Sequence, residues 1–333
     1  MHLDKQLCIL AAVVICASAS HFLDQEWDAW KSKYEKKYVT VHDEQFRRKA
    51  WDETWKKVQK HNQLFEQGLT KYTMAMNQFA DKTPEERSSM NCLSSKDNLS
   101  VHNNIPVQVN AKNPDLPKSV DWRDSKCVTE IKNQGQFCGS CWAFATVGVL
   151  ETHYCLKKKE LLVLSEQQLV DCDSVNEGCC GGFPKAAMQY LSHHGVMLAK
   201  DYEYSQKQFT CLYKPDNAVT VNVSKYYVLP GEDNMASSVA FDGPITVGID
   251  ASDDFQMYSK GIFTGDCSKE ANHAVIIVGY GTEHDEEEDE DIDYWIIRNS
   301  WGKMWGENGY AKMRRNVDLC GITSEAASLD LEH

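Results

Sequence analysis

The sequence predicts an α+β protein in which helical segments come first and short strands follow. Apolar residues recur at helical spacing through residues 20–90 and again from residue 141 to residue 170. From residue 219 onward the chain has short runs rich in Val, Ile and Tyr, separated by Gly, Pro and Asp, which is typical of strands. A helical lobe packed against a strand-rich lobe would leave a cleft between them, where ligands commonly bind.

Length and composition limit the kinds of protein that the chain can be. Its 333 residues are enough for about two structural units. The 19 Gly and 8 Pro are too few for collagen or for a large disordered chain. The one long apolar run, residues 8–19, is shorter than the roughly 18 residues that cross a bilayer, so we expect no membrane span. The net charge of −14 argues against a nucleic-acid partner.

Residues 1–19 are typical of a secretory signal peptide. Lys5 gives a weakly basic start, residues 8–16 an apolar core, and the Ala-Ser-Ala of residues 17–19 a small-residue cleavage site. The alternative is a buried N-terminal strand. The 13 cysteines fit export to an oxidising compartment. Two tripeptides that can accept glycosylation, at Asn98 and Asn222, fit the same route.

Residues 20–115 form the next predicted unit, and it is mainly helical. Aromatic residues recur at helical spacing near its start, at Trp27, Trp30, Tyr34 and Tyr38. Residues 92–115 are polar and typical of an easily cut linker. Residues 116–333 carry 34 of the 49 acidic residues but only 19 of the 35 basic ones, which indicates a unit with a different task.

The unit from residue 116 onward begins with predicted helices and continues as predicted strands. One apolar helical face follows position 141, and Ser165 begins a segment typical of a capped helix. Five later runs are predicted strands, at residues 219–228, 245–249, 274–280, 294–298 and 309–313.

The strongest local signal for chemistry lies in residues 134–144, Gln-Gly-Gln-Phe-Cys-Gly-Ser-Cys-Trp-Ala-Phe. This loop runs into a helix whose first turn begins near Cys141. The unpaired N–H groups at a helix start lower the pKa of a thiol, and the thiolate is the nucleophilic form. The alternative interpretation is a structural disulfide cysteine at a helix start.

A cysteine nucleophile needs a base, and the base needs an orienting group. His273 comes directly before a predicted buried strand, and Asn299 follows another. An Asn oxygen can accept a hydrogen bond from one imidazole nitrogen while the other nitrogen faces the thiol, and Trp301 could shield that bond from water. Each of these residues alone could equally be structural, so the hypothesis depends on their combination with Cys141.

These residues resemble the papain-like cysteine peptidases, specifically the cathepsin L-like branch. The block around Cys141, the Asn-His-Ala of residues 272–274 and the block at residues 299–306 match family motifs. The N-terminal unit resembles the cathepsin L-type propeptide, with Thr54 where Asn is usual and Ala75 in place of a Gly. The matching propeptide positions are Glu44, Arg48, Trp51, Val58, Asn62, Asn77, Phe79 and Asp81.

The resemblance implies a papain-like two-lobe fold, with a helical left lobe and a β-barrel-like right lobe, preceded by a helical inhibitory prosegment. It implies a signal peptide at 1–19, a prosegment at 20–115 and a peptidase domain at 116–333, whose lobes meet at about residue 222. Cys141 would be the nucleophile and His273 the general acid–base. Asn299 would orient His273, and the Gln134 side chain with the Cys141 backbone N–H would stabilise the oxyanion.

The resemblance also implies a substrate cleft. Gly181 and Gly182 would pair with the substrate backbone, where the absence of a side chain permits close approach. Trp301 would lie beside the catalytic pair. The pocket for the second residue before the cut would be lined by Phe183, Pro184, Gly248, Ala271, Ala274 and Thr323. Because this lining carries no charge, we expect Leu, Val or Phe to be preferred over Arg there.

The family disulfides would pair Cys138 with Cys179, Cys172 with Cys211, and Cys267 with Cys320. That assignment leaves Cys127, Cys155 and Cys180 over, and the adjacency of Cys179 and Cys180 makes the first pair ambiguous. At least one thiol would then be unpaired unless it bonds Cys92 or another chain. A structural zinc site is the rival use of these cysteines, although the sequence holds only a single CxxC motif, at Cys138–Cys141, and no HExxH motif, and we expect no metal and no cofactor.

Three features depart from the family pattern. Phe137 looks like an extra residue between Gln134 and Cys138, which would either shift Gln134 or bulge outward. Residues 283–293 hold nine acidic residues, predicted to be a solvated loop or else a calcium or basic-partner site. His193 and His194 are predicted to be a surface turn rather than the paired histidines of an exopeptidase loop.

The predicted function is therefore a cysteine endopeptidase made as an inactive zymogen, in the lysosome or outside the cell. Its expected partners are protein and peptide substrates, its own prosegment and cystatin-type inhibitors, and we expect a monomer. The basic face of the prosegment opposes an acidic domain, so acid should weaken their pairing as carboxylates are protonated. The competing hypothesis is a catalytically silent homologue that acts as a binding protein or as a prosegment-type inhibitor.

Overall fold

A computed structural model of the chain describes residues 21–91, 93, 105–108, 116–286 and 288–332. The predicted signal at 1–19, Cys92 and the glycosylation acceptor Asn98 lie outside these residues. Within the described ranges, no helix is both long enough and apolar enough to cross a bilayer.

The described part of the N-terminal unit contains three α-helices and one short strand. Helix α1 spans residues 21–33, α2 spans Val41–Glu66 and α3 spans Pro84–Ser88, while strand β1 covers Tyr72–Met74. Thr40 caps α2 by accepting the Asp43 N–H, which satisfies a backbone donor that the helix itself cannot pair.

Aromatic packing holds α1 against α2. The rings of Trp27 and Trp30 stack with centroids 5.3 Å apart, and both contact Trp51, which is fully buried. Tyr34 and Tyr38 pack on this cluster but lie beyond the end of α1, so the helical spacing predicted too long a helix. The reason is the turn at Glu35, whose φ of 52° ends the helical path.

The helical lobe is built around α4, Cys141–Lys158, which is buried along most of its length. Helix α5, Glu166–Cys172, begins where the sequence predicts, because the Ser165 hydroxyl accepts the Gln168 N–H. Helix α6 spans Pro184–Leu191, with Pro184 in its first turn. Two further helices, α7 at Gly231–Phe241 and α8 at Asp253–Gln256, lie beside the sheet.

Nine strands of the described chain form one sheet, with β3 and β4 forming a separate pair. The order is β1-β7-β10-β9-β8-β6-β11-β5, and β2 also pairs with β8. The strands after β1 are β2 Val120–Asp121, β3 Val196–Met197, β4 Ala218–Val219, β5 Val223–Val228, β6 Ile245–Ile249, β7 Tyr258–Phe263, β8 His273–Asp285, β9 Glu290–Arg298, β10 Tyr310–Arg314 and β11 Ala327–Leu331.

Two hydrophobic cores lie on either side of this sheet. One is formed by β6, β7, α7 and α8 with the prosegment residues Val58, Tyr72 and Phe79, and the other surrounds α4. Alternate residues of β8 point into different cores: Val275 and Ile277 into the first, Ala274 and Ile276 into the second. Strand β8 therefore lies between the two cores, and one of its faces packs against α4.

Candidate active site

Cys141 is the first residue of α4 and is completely buried. Its side chain lies where the unpaired N–H groups of the helix concentrate partial positive charge, which favours a thiolate. The loop before it is fixed by the hydroxyl of Ser140, which lies 2.6 Å from the Tyr204 hydroxyl. The Tyr204 hydroxyl also donates to the backbone oxygen of Gln134 at 2.8 Å. Tyr204 therefore links the start of α4 to the segment that carries Gln134.

His273 and Asn299 come from neighbouring strands. His273 is the first residue of β8 and Asn299 directly follows β9, and the two strands are antiparallel. The imidazole Nε2 lies 2.8 Å from Asn299 Oδ1. Because an amide oxygen only accepts, Nε2 carries the proton and the other ring nitrogen, Nδ1, holds the lone pair of a general base. Nδ1 is buried and makes no hydrogen bond within the described chain.

Helix α4 packs against β8, and a Cβ on Gly148 would lie 2.6 Å from Ile276 Cδ1, seven and three residues after Cys141 and His273. Phe144, earlier in α4, shares a pocket with Ala274, so the helix and the strand begin on the same side. Behind this end, an internal cavity is lined by Phe144 and Gly148 of α4 together with Ala274 and Asn299. The fold thus brings the predicted nucleophile, base and orienting residue to one place.

The His273–Asn299 bond is shielded on one face. The ring of Trp301 stacks on the imidazole with centroids 4.5 Å apart, and Phe79 of the N-terminal unit meets Trp301 edge-on. Burial lowers the pKa of His273 to about 4, while the hydrogen bond to Asn299 acts in the opposite direction. In this covered state the imidazole is therefore neutral at neutral pH.

Gln134 is buried beside this pair. Its side-chain oxygen accepts from the Ser300 hydroxyl at 2.7 Å, and its backbone N–H donates to the Ser300 oxygen at 2.9 Å. The loop that follows turns back at Gly135, and Phe137 is 84% exposed. The extra residue therefore lies on the surface, while Gln134 is held from the other side by Ser300.

Sequence reasoning missed Arg298, the residue before Asn299. Its guanidinium is buried and donates from Nη2 to the backbone oxygens of Thr129 and Glu130 and to the Thr129 hydroxyl, at 2.8–3.1 Å. These bonds tie the end of β9 to the segment that leads to Gln134. An unbroken apolar run followed by an arginine at position 298 was the available sequence signal.

Leu93 of the N-terminal unit occupies the predicted substrate pocket. Its N–H donates to the Asn272 oxygen at 2.8 Å, and it forms a parallel bridge with Gly182. A Cβ placed on Gly248 would lie 2.9 Å from Ala271 Cβ and 3.1 Å from Leu93 Cδ2, so only glycine leaves room there. Leu93 also belongs to the core cluster of Ala274, with Phe183 at its edge.

Glu325 is a pocket residue that the sequence did not indicate. Its Cβ would lie 2.9 Å from a Cβ on Gly248, and its carboxylate lies 2.7 Å from Lys185 Nζ. Thr323, which was predicted to line this pocket, instead donates its hydroxyl to Asp318. Glu325 therefore adds a paired carboxylate near the residues predicted to line this pocket, and the apolar preference of the pocket stays a prediction.

The cysteines form four disulfides in the described chain. They include the three pairs that the family resemblance implies, Cys138–Cys179, Cys172–Cys211 and Cys267–Cys320. The fourth joins Cys127 to Cys155, two of the three cysteines that were left over. Cys141, buried, and Cys180, exposed, lie outside these bridges. The described residues contain no group of three or more His, Cys, Asp and Glu that could hold a metal ion.

Charged residues attach the N-terminal unit to the sheet-bearing lobe. Arg87, which is buried, pairs with Asp253 at 2.6 Å, and Lys57 contacts both Asp253 and Asp254 at 2.5 Å. Strand β1 pairs with β7, and the Asn77 side chain donates to the Gln256 oxygen at 2.7 Å. Arg87 was not among the residues singled out from the sequence.

Comparisons with known proteins agree with this geometry. Residues 116–329 match the family described as papain family cysteine protease, and residues 27–87 match the cathepsin propeptide inhibitor domain. The chain is 38% identical to a cathepsin L-like proteinase of Fasciola hepatica, covering 97% of each protein, and 40% identical to human cathepsin L2, covering 92% of each. The solved structure of digestive procathepsin L 3 of Tenebrio molitor larval midgut matches 93% of this chain and 99% of its own, with 37% identity and a TM-score of 0.84.

Proposed function

The chain belongs to the papain family of cysteine proteases, and from that premise we propose that Cys141 is its nucleophile, His273 its general acid–base and Asn299 the group that orients His273. It is a cathepsin L-like cysteine endopeptidase with a propeptide inhibitor domain, and therefore a zymogen. Nothing in the described part of the chain favours the catalytically silent alternative, since Phe137, the feature that raised it, points into solvent.

The proposed reaction is acyl transfer. His273 Nδ1 takes the proton of Cys141, and the sulfur forms a bond to the peptide carbonyl carbon while the carbonyl π electrons move to oxygen. The Gln134 side chain and the Cys141 N–H stabilise that oxyanion. The imidazolium then protonates the leaving amine as the C–N bond breaks. Water, deprotonated by His273, hydrolyses the thioester and releases the thiol.

The observation that carries this proposal is the hydrogen bond of His273 to Asn299 under Trp301, at the end of β8 that packs on α4. A thiol-trapping epoxide added to the processed protein tests it. We expect one label per molecule, on Cys141, and none on the Cys141→Ser variant. Labelling of the exposed Cys180 in place of Cys141 would contradict the assignment.

We further propose that the prosegment inhibits by filling the cleft through Leu93. Leu93 lies parallel to Gly182, so a substrate pairing antiparallel with the same residue would run in the opposite direction. A peptide bond that follows the prosegment direction is presented to Cys141 the wrong way round. The proposed domain boundaries are residues 20–115 for the prosegment and 116–333 for the peptidase, with processing near Asp115–Leu116.

Leu93 also supports a preference for an apolar residue at the second position before the cut. The pocket it fills includes Gly248 and Ala271, and Lys185 balances the charge of Glu325. Cleavage of paired peptides that carry Leu or Arg at that position tests the preference. We expect faster cleavage of the Leu peptide, and faster cleavage of the Arg peptide would overturn it.

The protein family and the propeptide domain imply peptide substrates and the chain's own prosegment as partners. Beyond these, we propose cystatin-type inhibitors as partners, a monomeric state and a lysosomal or extracellular location. Expression in cultured cells, followed by fractionation and N-terminal sequencing of the product, tests the location and the processing site together.

A further inference from the structure

The acidic tract at residues 283–293 forms part of a long hairpin. Strands β8 and β9 continue beyond the sheet core and stay paired in register from Thr282 with Asp293 to Asp285 with Glu290. We call residues 283–286 and 288–291 the acidic tip. The tract was predicted to be a solvated loop, but residues 283–285 belong to the end of β8 and residues 290–293 to the start of β9.

The prosegment reaches the acidic tip through Lys71. The Lys71 Nζ lies 2.5 Å from Asp285 Oδ2 and 3.4 Å from Glu288 Oε1. The Lys71 side chain is 20% exposed and that of Asp285 is 10% exposed, so much of this ion pair is shielded from water. A lysine and a carboxylate in such a position attract one another more strongly than an ordinary surface pair.

The backbone of Lys71 is fixed by a different strand. Its oxygen accepts the Ile262 N–H of β7 at 2.9 Å. Gly261, with φ of 89°, leaves room for that approach, because a Cβ there would lie 2.4 Å from the Lys71 oxygen. Lys71 therefore contacts β7 with its backbone and the acidic tip with its side chain.

Other acidic side chains of the tract pair within the peptidase domain. Glu283 contacts Lys312 at 2.6 Å, and Asp291 lies 2.9 Å from His284. Asp293, just past the tip, faces Arg315. Asp285 and Glu288, by contrast, face a cation that the prosegment supplies, so the charge of this part of the tip is complementary to the prosegment.

We propose that the acidic tip is a docking surface for the prosegment, with Lys71 as the side chain that anchors it. This inference rests on the proposed function, in which the prosegment inhibits the peptidase. Docking then requires two attachments at the end of α2: the pairing of β1 with β7, and the Lys71–Asp285 ion pair. Removing the lysine charge takes away the attraction between the prosegment and the carboxylates of Asp285 and Glu288, which favours release of the prosegment.

The test is the rate at which the full-length zymogen becomes active at one fixed acidic pH. Lys71→Met keeps the length and apolar stem of the side chain and removes only its charge. We expect it to activate about tenfold faster or more, because a largely shielded ion pair has lost one partner. Lys49→Met, which alters an exposed lysine of the same prosegment, is the matched control and should activate at the original rate.

Charge exchange separates this contact from a general effect on β1. Lys71→Glu and Asp285→Lys should each speed activation, and the double variant should return toward the original rate. Equal rates for Lys71→Met and the unchanged zymogen, or a double variant as fast as the single ones, would overturn the inference. The processed enzymes should have equal activity in all prosegment variants, and an inactive processed enzyme would contradict the proposed function instead.

Discussion

The side chains proposed to be catalytic and the prosegment interface are held by different kinds of interaction. His273 and Gln134 are fixed by neutral hydrogen bonds to Asn299 and Ser300 and by stacking on Trp301. The prosegment is attached by ion pairs at Asp253 and Asp285 in addition to its strand and its apolar contacts. Neutral contacts persist when the pH changes, while ion pairs with carboxylates weaken in acid. The contacts that position the active-site side chains thus do not depend on a carboxylate charge, whereas those that attach the prosegment do.

The largest expected effect belongs to the catalytic side. Gln134→Ala should lower kcat of the processed enzyme by about 10²–10³-fold, because one oxyanion donor is lost. Epoxide labelling of Cys141 and the activation pH of the zymogen should change little, since the ion pairs of the prosegment are untouched. Ser300→Ala, which removes only the partner of the Gln134 oxygen, should have a smaller effect on kcat. An unchanged kcat in Gln134→Ala would remove Gln134 from the mechanism.

The prosegment side should respond in the opposite way. Arg87→Met leaves the carboxylate of Asp253 without its buried partner, so docking should weaken by about 3 kcal/mol or more. We expect the zymogen to activate on the order of 10²-fold faster, measured as the appearance of activity after acidification. Activity of the processed enzyme should stay the same, because Arg87 is removed with the prosegment.

Lys60→Met, an exposed lysine of the same unit, is the control for a change of prosegment charge. Arg87→Lys keeps the charge but loses the second donor to Asp253. Its activation rate should lie between the rates of Arg87→Met and Lys60→Met. If Arg87→Met and Lys60→Met activated at the same rate, the ion pair at Asp253 would not hold the prosegment.

The acid sensitivity has a defined direction at Asp253. Burial raises the pKa of this carboxyl, but Arg87 and Lys57 outweigh burial and leave the pKa below its ordinary value. Such a carboxylate stabilises the docked form at pH values above its ordinary pKa, and the stabilisation is lost as the pH falls through the lowered pKa. The contribution of Asp253 should therefore disappear only below about pH 4.

Thermal unfolding of a full-length Cys141→Ser chain, which cannot process itself, measures this contribution. The difference in Tm between that chain and the same chain with Asp253→Asn should be constant from about pH 7 to pH 5 and should shrink below about pH 4. A difference that was already lost at about pH 6 would assign the acid sensitivity to other groups.

The smallest expected effect concerns the ion pair inside the cleft, between Lys185 and Glu325. Lys185→Ala leaves the Glu325 carboxylate unbalanced beside the pocket. Cleavage of the peptide with Arg at the second position before the cut should rise several-fold relative to the Leu peptide. Lys185→Ala combined with Glu325→Ala should restore the original ratio, and a ratio unchanged in the single variant would mean that Lys185 does not set specificity.

The residues proposed to be catalytic could be found in the sequence because each stands at the boundary of an element that the sequence itself indicates. Cys141 begins a helix, His273 begins a strand and Asn299 follows one, and the family resemblance supplied their proposed roles. The α+β fold could be predicted because the helical and strand patterns follow one another in the sequence. Strands β7 and β11 were missed because Tyr-Ser-Lys-Gly-Ile-Phe and Ala-Ser-Leu-Asp-Leu mix apolar residues with small and charged ones.

Pairs between distant parts of the chain could not be predicted in this way. Glu325 lies in a short polar and small-residue segment, and it reaches the pocket only through a turn in which Cys320 has φ of 55°. Lys71 and Arg87 face Asp285 and Asp253 because β1 pairs with β7, a register that depends on the whole sheet. Spacing along the sequence carries no information on such contacts, so one pocket residue and both prosegment anchors came from the structure.

The pH dependence of Cys141 alkylation most directly tests the claim that Cys141 and His273 act as a pair. In the processed enzyme, away from the burial that lowers the pKa of His273 in the zymogen, we expect the thiolate to be stabilised by the imidazolium and by the start of α4. Rapid alkylation should then persist well below the pKa of about 8.5 of an ordinary thiol, and His273→Ala should remove this low-pH reactivity. Alkylation that rises only near pH 8.5 in both proteins, as for an isolated cysteine, would contradict the pairing.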